Sequence, residues 1–478
     1  MKEIPITILF IFLKENQNSI KANFMKRIKI SRRILYLFFL GLVLFIVIYA
    51  WPRIPIITGF AAKGMCSGVF VGHRSQESVS SRELSFFPIS LARTTIHPED
   101  SSVTATVFGL AKRKAVYRRG LGCTLLTDIP EEKVKAQAIP LPPPPFDPDT
   151  IAWPLGSLLP NTLPAGVNYE ELNRVLHAAI DAPGSEQVKK TLAVAIVYNN
   201  MLIGEAYAPG IDKNTPLPGW SMTKSILSTL VGMRVADHKL SIHEPAPVPE
   251  WKNDDRSNIT LSSLLHMTSG LKWDENYFDI SDATKMLYVY GDMYRYAISR
   301  PVAYPPDSVW YYSSGTSNIL SGIIRNTFGN NRAYLTYPYV RLFYRTGMLH
   351  TTLETDASGT FVGSSYSYAT ARDWARFGLL YLHRGIFAGD TVLSPGWVSY
   401  TLREAPHSNG AYGAQWWLNH NNKLPDVPAD TYFCDGFQGQ RIFVIPSRNL
   451  VVVRLGWSMK NFNFNKFLKE IISTLPEG

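Results

Sequence analysis

The sequence has few cysteines and lacks the short motifs of several common enzyme classes. Only 3 of its 478 residues are cysteine, whereas disulfide-rich scaffolds contain more than roughly 8%. No closely spaced Cys/His cluster, no His-Glu-x-x-His motif and no Gly-rich phosphate-binding loop occurs. The sequence therefore predicts neither a metal nor a cofactor, and it argues against nucleotides and nucleic acids as partners.

The sequence also lacks the features of hydrolases that use histidine as the catalytic base. No Gly-x-Ser-x-Gly sequence occurs, which excludes the strand-turn-helix nucleophile that this motif forms. The histidines are scattered along the chain, as is typical of structural residues; examples are His266, His350, His383 and His407. Any acyl transfer by this chain therefore needs a base other than histidine.

Basic charge is concentrated at the N-terminus, just before a long apolar run. The chain carries 48 Lys and Arg against 38 Asp and Glu, a net charge of +10. Residues 34–51 are uninterrupted by polar side chains, and at about 1.5 Å per residue a helix of this length reaches roughly 27 Å. The basic residues of the preceding segment 1–33 include Lys26, Arg27, Lys29, Arg32 and Arg33.

These flanking charges predict how the apolar run is oriented. Basic residues stay on the cytoplasmic side, so residues after Trp51 are expected in the periplasm or outside the cell. A single-pass signal-anchor is favoured over a cleaved signal peptide, because the run is long and no clean Ala-x-Ala site follows it. Met25 would serve as the first residue of such a leader, which would make residues 1–24 an over-extended reading frame.

Two stretches separate the apolar run from the main domain. Residues 60–130 contain short β-branched segments between turns, which predicts a small strand-rich exported module. Residues 131–150 contain four consecutive prolines and predict an extended linker. In an oxidising compartment Cys66 and Cys123 would pair as a disulfide, with Cys434 left free; three buried thiols are the alternative.

Residues 151–478 have the pattern of one large α/β (α+β) domain. Strand patterns lie near both of its ends, and helix patterns lie between them and at the C-terminus. The predicted strands are 192–198, 201–207, 441–445 and 450–455, and the predicted helices are 221–236, 371–383 and 464–474. This order predicts an antiparallel sheet flanked by helices, with a mostly helical inserted subdomain.

The sequence Ser-x-x-Lys occurs twice, as Ser221-Met-Thr-Lys224 and as Ser269-Gly-Leu-Lys272. Ser221 opens an amphipathic helix, so Ser221 and Lys224 share one helix face. The helix N-terminus favours negative charge on the serine, and a desolvated lysine has a lowered pKa and can accept the serine's proton. Ser269 lies in a predicted loop and lacks this geometry. The alternative for Ser221 is an N-cap serine beside a solvated lysine.

Two further segments contain groups that acyl transfer uses. Residues 306–314 include Tyr311 and Tyr312, and a tyrosine beside a lysine can act as a phenolate or as a proton relay. Residues 435–440 are rich in glycine and precede a strand, so their backbone can approach a substrate and supply an N–H to an oxyanion. Taken alone, residues 306–314 are also consistent with a common aromatic core patch, and residues 435–440 fit a glycine-rich turn between strands better than an active-site segment.

Taken in order, these segments resemble the serine β-lactamase and penicillin-binding-protein superfamily. Within it they are similar to the class C β-lactamase-like branch, which includes esterases and 6-aminohexanoate-dimer hydrolase. The resemblance spans roughly residues 190–460, and four more stretches fit the branch: 258–271, 368–378, 412–417 and 435–455. It implies a β-lactamase/transpeptidase-like fold and an acyl-serine mechanism without a cofactor.

The resemblance also implies a role for individual residues of this chain. Ser221 matches the nucleophile, Lys224 its activating partner and Tyr312 the catalytic tyrosine. The backbone N–H groups of Ser221 and Gln440 match the oxyanion hole. The residues that match substrate-binding positions are Tyr277, Ser314, Phe437 and Gly439.

Two departures from the family pattern bear on the substrate. Ser314 stands where β-lactamases have the asparagine of Tyr-x-Asn, and Phe437 replaces the basic residue of Lys-Thr-Gly or His-x-Gly. Both changes remove groups that hold the amide and carboxylate of a penicillin. We therefore expect a small-molecule amide or ester as substrate rather than a β-lactam.

The sequence thus predicts a membrane-anchored serine hydrolase with an exported catalytic domain. The first alternative is a D,D-peptidase, penicillin-binding protein or β-lactamase of the same fold, which would retain a cationic third motif. The second is a catalytically silent binding or cell-wall-sensing module. Intact Ser221, Lys224 and Tyr312 argue against the second alternative.

Overall fold

A computed structural model describes residues 21, 25–27, 29, 32–182, 184, 186, 188–458 and 461–477. By its internal contacts the chain divides into two units, Met1–Pro55 and Ile56–Gly478. Since the described residues before position 34 are few, most of the predicted cytoplasmic segment 1–33 lies outside the described part of the chain. The catalytic residues predicted from the sequence all lie in the second unit.

Among the described residues one helix, Met25–Phe70, is long and apolar enough to cross a membrane. The mean hydropathy of its most apolar window is 2.6, and none of that window is buried in the protein. The predicted anchor 34–51 lies within this helix. Such a large exposed apolar surface is unfavourable in water, so the helix fits a signal sequence or a single-pass anchor.

From residue 54 onward the chain folds into strands and helices whose bounds are as follows. The strands are β1 Ala92–His97, β2 Ser102–Val107, β3 Leu110–Arg118, β4 Gly122–Leu125, β5 Thr191–Tyr198, β6 Met201–Tyr207, β7 Leu217–Pro218, β8 Thr352–Leu353, β9 Ser367–Ala369, β10 Ile386–Phe387, β11 Asp390–Thr391, β12 Trp417–Leu418, β13 Tyr432–Gly436, β14 Gln440–Ile445 and β15 Leu450–Gly456. The α-helices are α1 Ile54–Phe70, α2 Gln76–Ser80, α3 Glu131–Lys135, α4 Tyr169–Ala179, α5 Thr223–Ala236, α6 Leu261–Leu265, α7 Asp282–Tyr288, α8 Met293–Ile298, α9 Ser314–Asn326, α10 Asn331–Pro338, α11 Ala371–Leu382, α12 Pro395–Thr401 and α13 Phe464–Ser473.

The central sheet is antiparallel and has the strand order β12-β13-β14-β15-β5-β6. Strands β5 and β6 form the predicted hairpin, and β15 pairs with β5. This pairing places the two ends of the predicted domain side by side. Strands β5, β14 and β15 are rich in Val, Ile and Leu and almost fully buried, because both faces of the sheet are covered.

Helices pack on both faces of the central sheet. On one face Leu172 of α4 and Leu468 of α13 pack in the same apolar cluster as Val194 of β5. On the other face α11 packs against β5, β14 and β15. Gly378 allows this close approach, because a Cβ at its position would lie 2.5 Å from the Val451 side chain.

The regular structure of the segment between β6 and β8 is mostly helical, as predicted. This segment contains Ser221, Lys224 and Ser314 of the candidate site. Ser221 itself lies in a 3₁₀ turn, Trp220–Met222, which leads directly into α5. Helix α5 packs against α9. This packing brings the first turn of α5 next to Ser314, the first residue of α9.

Strands β1 to β4 form a separate four-stranded antiparallel sheet. A disulfide joins Cys66 of α1 to Cys123 of β4, with their Cα atoms 6.1 Å apart, while Cys434 is a buried free thiol. The sheet and the proline-rich stretch belong to the same compact unit as the rest of the chain from Ile56 onward. The division into a module at 60–130 and a linker at 131–150 stays a prediction.

Candidate active site

The buried Lys224 ammonium group joins three segments of the chain. Its Nζ atom lies 3.1 Å from Ser221 Oγ, 3.0 Å from Ser314 Oγ and 2.9 Å from the carbonyl oxygen of Ser364. The lysine is 1% exposed, whereas Ser221 is half-buried and reaches the surface. Because the two residues are three apart at the start of α5, their side chains meet on one side of the helix.

The environment of Lys224 disfavours its charged form. Burial lowers the pKa of Lys224 to about 8, and the negative charges of Glu275 and Asp435 oppose part of this effect. A lysine in water has a pKa near 10.4 and is almost wholly protonated at pH 8. Lys224 is therefore about half neutral at pH 8, and a neutral amine can accept a proton.

Tyr312 lies beside the same lysine. The Lys224 Nζ atom is 4.8 Å from the centre of the Tyr312 ring, which also packs against Tyr412 and Trp417. Burial and the charge of Glu275 raise the pKa of Tyr312 well above its ordinary value, and a hydrogen bond with Ser221 offsets part of this. A raised pKa keeps the phenol neutral, so this environment is more consistent with a proton relay than with a phenolate. Tyr311 is exposed.

Glu275 is a member of the site that the sequence analysis missed. Its carboxylate accepts hydrogen bonds from the Ser314 N–H at 2.8 Å, from the Ser314 hydroxyl at 2.6 Å and from the Tyr277 hydroxyl at 2.8 Å. The Trp273 indole N–H donates to it as well. The sequence signal that could have found it is its place two residues before Tyr277, a predicted substrate-binding residue.

The hydroxyl oxygens of the predicted substrate-binding residues Tyr277 and Ser314 lie 2.8 Å apart, so the single Tyr277 hydrogen is shared between Ser314 and Glu275. Both hydroxyls also bond to Glu275, and Ser314 connects that carboxylate to Lys224. Burial raises the pKa of Tyr277 well above its ordinary value, so this phenol is neutral. Contact of these two side chains with a substrate stays a prediction.

The glycine-rich third segment lies against the residues that lead into Ser221. Strand β13 ends at Gly436, where a Cβ would lie 2.3 Å from the carbonyl oxygen of Gly219. Only glycine allows the two backbones to come this close. A short 3₁₀ turn, Phe437–Gly439, then leads into β14, which begins at Gln440. Gly439 has a left-handed φ of 85°.

Phe437 of that turn is part of an aromatic group beside Ser221. Its ring centre lies 5.4 Å from that of Trp220 and 5.9 Å from that of Tyr277. The side chain of Gln440 is turned inward and donates to the Phe437 carbonyl oxygen at 3.3 Å. The structure thus brings Tyr312, Ser314 and Phe437 of the second and third segments together beside Ser221 and Lys224.

The second Ser-x-x-Lys sequence has a different environment. Ser269 is buried in the loop after α6, and its hydroxyl accepts a hydrogen bond from the Leu271 N–H at 3.5 Å. Lys272 is exposed, and its backbone N–H donates to the Pro301 carbonyl oxygen. The serine and the lysine of this pair do not form a shared buried site.

Comparison with known proteins matches this chain to one family. The sequence profile of the Beta-lactamase family matches residues 176–466. The 6-aminohexanoate-dimer hydrolase of Paenarthrobacter ureafaciens is 23% identical over 295 residues, which cover 55% of this chain and 72% of that protein.

Solved structures share the fold at low sequence identity. A Bacillus anthracis structure named as a 6-aminohexanoate-dimer hydrolase has a TM-score of 0.55 and 21% identity, and the match covers 69% of this chain and 90% of that one. A penicillin-binding protein homologue from Caulobacter crescentus has a TM-score of 0.52, 14% identity and coverages of 67% and 99%. A family VIII carboxylesterase has a TM-score of 0.52, 11% identity and coverages of 66% and 98%.

These matches confirm the α/β fold of the β-lactamase/transpeptidase type that the order of motifs implied. The family profile spans the central sheet and all three segments of the site. The chain belongs to the Beta-lactamase family and is a hydrolase that acts on amide or ester bonds.

Proposed function

We propose that this protein cleaves a small amide or ester through an acyl-enzyme on Ser221, with Lys224 as the base and Tyr312 as a proton relay. The observation that carries the proposal is the contact between the buried Lys224 Nζ and the half-buried Ser221 Oγ at 3.1 Å. Nucleophile and base within hydrogen-bonding distance are the common feature of activated serine nucleophiles.

The partners of Lys224 match the needs of a neutral base. A neutral amine has two N–H donors and one lone pair. The carbonyl oxygen of Ser364 can only accept, and the Ser314 hydroxyl donates its own hydrogen to Glu275, so these two oxygens take both N–H groups. The lone pair is then left for the Ser221 hydroxyl. This arrangement supports transfer of the serine proton to Lys224.

Acylation then proceeds in two proton-balanced steps. Ser221 Oγ attacks the carbonyl carbon while its proton moves to Lys224 Nζ, and the developing oxyanion accepts from the N–H groups of Ser221 and Gln440. As the C–N or C–O bond breaks, the Tyr312 phenol gives its proton to the leaving group and receives one from Lys224. Water then attacks the acyl-enzyme, its proton passes to the Tyr312–Lys224 pair and on to Ser221, and the acid is released.

The close approach of the third segment supports the role of the Gln440 N–H. Gly436 runs beside the Gly219 carbonyl, two residues before Ser221, and pairs with Gln440 across the β13–β14 turn. The start of β14 is thereby held near the serine. The turn before Gln440 requires glycine at position 439, because its φ is 85° and a Cβ there would lie 2.7 Å from Arg454 Nη1.

The side chains around the serine favour neutral substrates. Phe437 stands at a position where a cation would hold a substrate carboxylate, and its ring faces Trp220 and Tyr277. An aromatic surface suits an apolar acyl group, because its burial releases water without leaving a charge unpaired. Short-chain esters or small linear amides are the substrates that this site fits best.

The apolar helix supports a location at a membrane. We infer that residues 34–51 form an uncleaved signal-anchor with a cytoplasmic N-terminus, which leaves the hydrolase domain in the periplasm or outside the cell. A reporter fused to the C-terminus is expected to be active only when exported. Activity of a cytoplasmic reporter there would contradict this topology.

A substrate panel tests the proposed specificity. The purified protein is given p-nitrophenyl esters, short linear amides and nitrocefin, and kcat/KM is measured for each. Esters or linear amides are expected to react faster than nitrocefin, and Phe437→His should shift the ratio toward carboxylate-bearing substrates by about ten- to a hundredfold. Hydrolysis of nitrocefin faster than every ester and amide would instead identify a β-lactamase.

A further inference from the structure

Three aromatic side chains of the catalytic fold form a wall of rings beside Ser221. The Phe437 ring lies between the other two in space: its centre is 5.4 Å from the ring centre of Trp220 and 5.9 Å from that of Tyr277. Each of the three is half-buried and reaches the surface. The Tyr277 hydroxyl bonds to Ser314, a partner of Lys224, so the wall begins at the catalytic groups themselves.

Two further rings on this wall come from outside the part of the chain that matches the family. Phe60 of α1 stacks on Trp220 with ring centres 5.6 Å apart. Phe86, in the loop after α2, lies 5.6 Å from Phe60 and 6.2 Å from Phe437. Both residues precede residue 176, where the family match begins. Phe60 is buried behind the wall, whereas Phe86 is half-buried at its outer edge.

Helix α1 is fixed against the catalytic fold by buried polar contacts. The Glu354 carboxylate accepts from Lys63 Nζ at 2.6 Å, from the Ser67 hydroxyl at 2.9 Å and from the Cys123 N–H at 2.7 Å. The Cys66–Cys123 disulfide lies beside them. A buried carboxylate that loses these partners is strongly destabilised, so the helix and Phe60 have a defined position.

The loop that carries Phe86 is attached to the third segment directly. The Gln438 side-chain amide donates to the Glu83 carbonyl oxygen at 3.1 Å. Glu83 is in turn paired with Arg74, and both side chains are largely buried. The loop is therefore held next to Phe437 by its backbone as well as by the contact between rings.

We propose that Phe86 completes the substrate cleft and contacts an apolar acyl chain of several carbons bound to Ser221. Phe60 packs behind Trp220 and supports the inner part of the same wall. The substrate class is then an ester or amide of an unbranched apolar acid, with the chain lying along Phe437 and Phe86. This inference rests on the proposed acyl-Ser221 mechanism and adds a specificity-determining residue to it.

The test is a chain-length series of p-nitrophenyl acetate, butyrate and hexanoate with the full-length protein. In the wild type kcat/KM should rise from acetate to hexanoate. Phe86→Ala should lower the hexanoate-to-acetate ratio by about tenfold, the equivalent of roughly two buried methylene groups. Phe86→Leu, which keeps an apolar side chain, should restore most of the ratio. Phe108→Ala serves as the matched control, since Phe108 is 80% exposed on the turn between β2 and β3, and it should leave the ratio unchanged.

The outcomes separate the inference from the proposed function. A wild-type protein that hydrolyses no ester and binds no fluorophosphonate probe at Ser221 would contradict the proposed mechanism. Normal probe labelling in Phe86→Ala and Phe86→Leu, together with a wild-type hexanoate-to-acetate ratio in both, would overturn the role of Phe86 alone. An increased ratio in Phe86→Ala would also overturn it, because the ring would then limit chain length rather than contact the chain.

Discussion

The two Ser-x-x-Lys sequences of this chain have the same spacing but different surroundings. Ser221 lies in the 3₁₀ turn that leads into the buried helix α5, and Lys224 lies in the first turn of that helix, with their reactive atoms 3.1 Å apart. Ser269 lies in a loop, and Lys272 points its charge into solvent. Gly270, between them, has a left-handed φ of 70°, which rules out a continuous helix through that pair.

The difference shows what brings the serine and the lysine of such a tetrapeptide into contact in a buried environment. Spacing brings two side chains to one face only if the backbone is helical, and burial lowers the pKa of a lysine only if the surrounding fold covers it. Lys224 has that cover because α5 packs against α9 and the segment at Ser364. The tetrapeptide therefore supplies the groups, and the fold supplies their chemistry.

The largest expected effect separates the two lysines. Lys224→Ala should lower kcat/KM for esters by at least about a thousandfold, because nucleophile and base act as a unit. Lys272→Ala should stay within about twofold of the wild type. Steady-state kinetics on both variants make the comparison, with thermal melts to show that each is folded. Equal losses in both, or none in Lys224→Ala, would remove the basis for distinguishing the pairs.

Tyr312→Phe should cost several orders of magnitude as well, since it removes the proton relay but keeps the ring. Tyr311→Phe is the matched control, because Tyr311 is exposed and adjacent in sequence. The same ester assay applies to both variants. A Tyr312→Phe enzyme with wild-type kcat would contradict the relay.

The pH dependence sharpens the comparison further. Below about pH 8 Lys224 is mostly protonated and cannot accept the serine proton, so kcat/KM should fall by about tenfold for each pH unit below that value. Lys224 is half neutral at pH 8 and about 1% neutral at pH 6, so the loss between these two pH values should be about fiftyfold. A profile that stays flat from pH 6 to pH 9 would show that Lys224 does not act as the base.

A smaller effect is expected from Glu275. Its negative charge stabilises the Lys224 ammonium, so Glu275→Gln should lower the pKa of Lys224 and move the inflection of kcat/KM to lower pH. Glu132→Gln, an exposed carboxylate on α3, should leave the inflection in place. A shift to higher pH would reverse the sign that this electrostatic account requires.

Much of the fold was readable from local patterns, because buried strands and amphipathic helices repeat with periods of two and 3.6 residues. The predicted hairpin 192–207 and the helix 371–383 appear as β5, β6 and α11 within a residue of their predicted ends. The start of α5 differs, since Ser221 lies in a 3₁₀ turn and Trp220 before it has a left-handed φ of 48°. No local pattern predicts that conformation, which the packing of Trp220 against Phe60 and Phe437 supports.

The site was predictable where its residues are close in sequence and unpredictable where the fold joins distant ones. Ser221 and Lys224 are three residues apart, and the order of motifs pointed to Tyr312. Glu275 and Phe86 come from segments whose contacts carry no periodic signal. Their proximity to the candidate site is visible only from the hydrogen bonds of Ser314 and the ring contact with Phe437.

The most direct test of the account is the site of labelling by a fluorophosphonate probe in the folded protein. The wild type should gain one adduct, and peptide mapping by mass spectrometry should place it on Ser221. Ser269→Ala should be labelled normally, while Ser221→Ala should not be labelled at all. An adduct that persists in Ser221→Ala, or that maps to Ser269, would contradict the mechanism proposed here.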